Sequence, residues 1–149
     1  APGALDADHR IHNFVVRSYY VAQDSVGQRG FPALRVKSLT RSGSAAVFAE
    51  DEIMPGVEDL QVQFGIDTSA QPTGRATRYV NPDFAGLRQA QVVSVRLWLR
   101  IRSDQPEVGF NDAQTYTYGD VVYTPAGAEQ DFRRAVMSRT VALRNARSM

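Results

Sequence analysis

Two histidines, His9 and His12, are the chain's whole stock of imidazole, and both fall within the first dozen residues. Chain ends are the usual place for loose segments, so residues 1–12 are expected to be loose. A Ser-His-Asp arrangement would have to be built on that segment. With Asp6 and Asp8 the histidines form at best a weak metal set, because donors three apart converge only on a firm helix or hairpin. Cysteine is absent, which excludes a thiolate nucleophile, a thiolate metal site and disulfides. Neither GxxxxGK[ST] nor GxGxxG occurs, so the familiar phosphate cradles are missing. Residues 50–59 hold five acids (Glu50, Asp51, Glu52, Glu58 and Asp59) and no base. A period of two puts Glu58 and Asp59 on opposite faces, so they do not converge as an acid–base pair. The stretch from Asp67 to Gly74 has the outline of a calcium loop but keeps only its first carboxylate, and calcium affinity follows ligand charge. The expectation is no catalysis, no cofactor and no metal.

Arg96, Trp98, Arg100 and Arg102 alternate along one segment and make a basic face with an aromatic. Single-strand nucleic-acid binders use positive grooves with stacking rings. Against that reading stand a single Trp in the chain and a net charge of +1 from 17 bases and 16 acids. No strong field follows from that sum, so no nucleic-acid partner is expected. Trp and Arg are also the residues enriched at protein-binding hot spots. These four are therefore the candidate partner surface, with Trp98 expected on an outer sheet face between its arginines.

The elements that position these residues read mainly as strands. In residues 92–102, Val93, Val95, Leu97, Leu99 and Ile101 alternate with Ser94, Arg96, Trp98, Arg100 and Arg102. That pattern predicts an antiparallel strand with an apolar buried face and a polar solvated one. Residues 60–66 repeat it with Leu60, Val62, Phe64 and Ile66. Weaker strands are expected at residues 13–22, 33–40, 45–49, 116–124 and 133–144, with a hairpin loop over 23–32. A short helix is expected after Pro82, reaching about Gln89, and residues 51–57 are expected to make at most one turn before Pro55-Gly56. The polar stretches 67–78 and 102–115 read as loops.

The chain has 149 residues, of which 43% are apolar and 22% charged. That is one domain, 1–149, able to fold without staples. The longest apolar run, residues 45–49, is far short of the ~20 residues a membrane span needs. The expected fold class is α+β and β-rich: one or two antiparallel sheets with short helices.

Several segments resemble the PilW family of type IV pilus minor pilins, which is similar to the J-type minor pseudopilins of type II secretion. They are Tyr19-Tyr20-Val21-Ala22, Pro32-Ala33-Leu34-Arg35, the block from Glu52 through Pro55-Gly56-Val57 to Asp67, Tyr79-Val80, Val92 to Leu99, and Thr140-Val141-Ala142-Leu143-Arg144-Asn145. They follow the family's order over roughly residues 19–147. The resemblance implies a pilin-like domain whose antiparallel sheet packs on a long N-terminal helix. It implies a low-abundance subunit, anchored in the inner membrane with a periplasmic domain. That subunit helps to prime pilus assembly near the tip, with other minor pilins and the major pilin as partners. The family's leader and apolar helix are not in this sequence. The expectation is thus a soluble C-terminal portion that meets the membrane only through a missing helix and carries an uncovered apolar patch beside a sheet. The acid-rich stretch many members carry after the position of Asp67 is Thr, Ser, Ala and Gln here, so the resemblance implies no metal role. The alternatives are a minor pseudopilin and a periplasmic or cell-surface ligand-binding module.

Overall fold

A computed structural model describes residues 14–143; the histidines and residues 1–12 lie outside the described residues. Three antiparallel units make up the described residues. The first sheet has the order β1-β2-β3, with β1 at Arg17–Ala22, β2 at Ala33–Ser42 and β3 at Ala45–Pro55. The second has the order β5-β4-β6-β9, with β4 at Val57–Asp67, β5 at Arg78–Val80, β6 at Gln91–Arg102 and β9 at Arg134–Ala142. A hairpin of β7 (Tyr116–Tyr118) and β8 (Val121–Tyr123) forms the third unit.

The two strongest alternating segments pair with each other at the centre of the second sheet. Val62 faces Leu97 and Phe64 faces Val95 across β4 and β6. The expected loop over 23–32 does join antiparallel β1 and β2. The chain passes from the first sheet to the second at Gly56, whose φ of 82° is a left-handed conformation that favours glycine. Gly56 N–H donates to the Pro32 carbonyl at 2.7 Å, and its own carbonyl accepts from Arg102 N–H at 2.9 Å, so one residue ties both sheets. Beside it Val57 is fully buried.

Three expectations are corrected. Residues 45–55 form a single strand of eleven residues instead of a short strand and a turn. The acids that argued for a turn are spent across the strands: Glu50 accepts from Arg35 at 2.7 Å and faces Lys37 at 3.7 Å, and Glu52 accepts from the Ser25 hydroxyl at 2.9 Å. Residues 116–124 are a hairpin, because Gly119, at φ 58°, supplies the left-handed residue of its turn. The helix after Pro82 shrinks to a 3-10 turn at Leu87–Gln89, and a second 3-10 turn spans Gly127–Asp131. These are the described helical segments, so β-rich antiparallel architecture holds while the helical share of an α+β class is small.

Candidate functional site

The four residues of the candidate partner surface do share one face of β6, but that face is not the outer one. The segment between β6 and β9 folds back over it. Gly119 of the β7–β8 turn sits against Gln61 and the Trp98 ring. Arg100 donates to Glu58 at 3.0 Å and to the Tyr118 hydroxyl at 3.0 Å, with its guanidinium 3.4 Å from the Tyr123 ring centroid. Arg102 lies 4.3 Å from the Phe132 ring and donates to the Gly30 carbonyl. The side chains of Arg100 and Arg102 are only 11% and 15% exposed. Arg96 stacks 3.7 Å over Tyr79 and donates to the Thr140 hydroxyl at 3.2 Å. Arg96 and Trp98 remain half-buried. The expected solvated face is thus a covered layer, because aromatic rings and carboxylates from distant segments meet the guanidinium groups there.

At its centre is a cluster that sequence reading missed. The Arg134 side chain is fully buried and donates to Glu58 at 2.8 and 3.1 Å and to Asp112 at 3.4 Å. Burial works against the Arg134 charge, but Glu58, Tyr123 and Asp112 outweigh it, and its pKa is raised. Tyr116 donates to Asp112 at 3.0 Å, and Tyr118 donates to Asp59 at 2.7 Å. A buried charge is tolerable only when paired and hydrogen-bonded, which this network achieves. Glu58 can serve three arginines because a bulge between Val57 and Asp59 places it out of the regular alternation. No local pattern signals a contact between residues 58 and 134.

The opposite, apolar face is the open one. Cross-strand partners point to the same side. The rows Leu60-Leu99-Met137, Val62-Leu97-Arg139 and Phe64-Val95-Val141 therefore make one surface over β4, β6 and β9. Their β4 and β6 members are partly buried, as Arg96 and Trp98 are, while Met137 and Val141 on β9 are 57% and 47% exposed. Contiguous apolar patches of this kind on a folded domain mark interaction sites.

The loop expected to resemble a calcium site closes on itself. Asp67, 8% exposed, accepts from Ser69 N–H at 3.0 Å, Thr73 N–H at 2.6 Å, the Thr73 hydroxyl at 3.0 Å and Gly74 N–H at 2.8 Å. Led by Ser69, these donors hold its carboxyl well below the usual carboxylate range. Two shallow surface hollows, one beside Tyr79 and Phe84 and one beside Tyr116 and Arg134, bring together no acid–base or nucleophilic pair. Among the described residues no helix is long and apolar enough to cross a membrane.

No match is found among curated proteins or solved structures. A family profile does match: PilW, type IV pilus-assembly protein W, over residues 18–145. That span takes in both sheets, the covering hairpin and the open apolar face, and the chain belongs to the PilW family of type IV pilus-assembly proteins.

Proposed function

We propose that this chain is the envelope-exposed domain of a minor pilin, joining other minor pilins and the major pilin to prime a type IV pilus near its tip. The observation that carries this reading is the open apolar face of β4, β6 and β9 on a chain of a pilus-assembly family. Three strands spaced about 4.8 Å apart make a strip about 10–14 Å wide, which matches the ~10–12 Å diameter of one helix. An apolar N-terminal helix from the inner membrane would cover it. Arg96 and Trp98, half-buried on the other face, contribute to contacts with neighbouring subunits, whereas Arg100 and Arg102 hold the domain together.

The test is complementation of a deletion strain with the full-length protein carrying Met137→Asp and Val141→Asp. Both positions are well exposed, at 57% and 47%, so the described domain should keep its fold, checked by circular dichroism. Surface pili should be lost with the variant and restored by wild type. Restored pili with the variant would sink the role of the face. Wild-type piliation in the deletion strain with impaired protein secretion would move the chain to a type II pseudopilus.

A further inference from the structure

Among the described residues, each of the two larger sheets ends in one long unpaired edge. β9 is nine residues long, pairs with β6 without a register shift and contains no proline. The other edge of its sheet, β5, is three residues long and precedes Asn81-Pro82. Short strands and prolines are how sheets blunt their edges, so β5 is protected and β9 is not. In the first sheet β3 is the long edge, eleven residues with a proline only at the last position, Pro55, and exposed at every residue except Glu52. We infer that β9 of one copy of this chain adds antiparallel to β3 of a second copy, in the register that sets Arg139 against Asp51.

Charge supports this occupant. Arg139 is the one charged side chain in the apolar rows over β4, β6 and β9, and Asp51 shares a face with Val36 and Tyr19. Both are exposed, and neither makes an ion pair or hydrogen bond with a described residue. Their neighbours also match. Setting residue 139 against 51 places Val141 opposite Ala49 and Leu143 opposite Val47. Leu143 and Val47 are 41% and 37% exposed. On the reverse face Ser138 and Thr140 meet Glu52 and Glu50, and Ala142 meets Phe48, which is 62% exposed.

The backbone allows the same register. Leu143 N–H donates inward to Val93, so the odd residues of β9 bond to β6 and its even residues face the open edge. Leu39 N–H donates to Val16, so the odd residues of β2 face β1 and its even residues bond to β3. Those partners are the odd residues of β3, including Asp51, and its even residues again face outward. Thr140 with Glu50 then forms a hydrogen-bonded pair. Arg139 with Asp51 falls in a non-hydrogen-bonded pair, where side chains approach most closely. The two edges are different patches, so the contact is head-to-tail and each copy keeps one edge free for the next.

Sedimentation velocity over a wide concentration range tests the idea on the chain as it stands. The wild type should associate as concentration rises and less so at high salt. Arg139→Asp and Asp51→Arg should each weaken association about tenfold or more, since like charges then face each other. An equal mixture of the two should recover it, because each then offers the charge the other lacks. A cysteine-free chain also permits a register check. On oxidation, Arg139→Cys mixed with Asp51→Cys should give about tenfold more mixed dimer than Thr140→Cys with Asp51→Cys, because only the first pair has its Cβ atoms in bridging range. A wild type that stays monomeric throughout, association indifferent to both reversals, a mixture no better than its parts, or equal cross-linking yields would each overturn the proposal. None of these outcomes depends on the pilus reading.

Discussion

At the scale of single residues, Glu58 answers to Arg100, Arg102 and Arg134 at once. Replacing Glu58 with Ala leaves a fully buried guanidinium without its main counter-charge. Breaking a buried pair from one side costs about 3–5 kcal/mol. Urea unfolding of Glu58→Ala should show a loss of that order, whereas Glu107→Ala, which removes an exposed pair with Arg133, should cost less than about 1 kcal/mol. Asp67 gives a second case. Its carboxylate occupies the centre of its own loop, accepting four hydrogen bonds. Asp67→Asn puts an NH2 group against some of those donors and should cost about 1–3 kcal/mol. The same commitment leaves the carboxylate little capacity for an ion. Calorimetry is expected to show no micromolar calcium binding, and binding that disappears in Asp67→Ala would contradict this.

At the scale of elements, the β7–β8 hairpin is held by tyrosines whose hydroxyls meet carboxylates. Burial, then Asp112, pushes Tyr116 up to about 12, and burial, then Glu129, pushes Tyr123 up to about 12. Burial, then Asp59, raises Tyr118 as well. An unfolded tyrosine titrates near 10. A folded pKa above that value means the unfolded chain releases its proton first as pH rises. The contribution is therefore fully present below about pH 10 and is lost between about 10 and 12. Thermal melts should show falling stability across that window, and Tyr116→Phe should flatten the fall. The core pairing of β4 and β6 makes a separate demand. A Cβ on Gly65 would meet the Ser94 hydroxyl and, at 2.8 Å, the Ala76 side chain. Gly65→Ala should force the strands apart and cost about 1–3 kcal/mol in denaturant unfolding. The strand character of β4 and β6 was legible because their alternation is strict. β3 was not, because an acid-rich stretch reads as a turn until Arg35 and Lys37 stand opposite it.

At the scale of the whole molecule, apolar residues do not all mean core. Ile66 is 1% exposed, while Leu97, of the same size class, is only partly buried. Ile66→Ala should cost about 2–5 kcal/mol. Leu97→Ala should cost less, about 1–2 kcal/mol in the same denaturant series, because its burial is incomplete. Equal losses at the two sites would mean that the face is covered after all.

The order of residues alone determined the period-two strands, the antiparallel hairpin of β1 and β2, the poverty of catalytic groups and the resemblance to pilus-assembly proteins. Each rests on neighbours within a few positions, or on a pattern of types read in line. Which face of β6 is inside was decided only in three dimensions. Alternation separates Leu97 from Trp98 but does not say which side a distant segment will cover. Here residues 103–133 bring Tyr118, Tyr123, Phe132 and Asp112 over the arginines. Guanidinium groups stacked on rings and paired with carboxylates are well compensated there, with Arg102 Nε alone in this layer left without a hydrogen bond among the described residues, so the polar face could be closed. The apolar face keeps its largest exposure at Met137 and Val141, because β9 is the edge strand of its sheet and has a neighbouring strand on one side only.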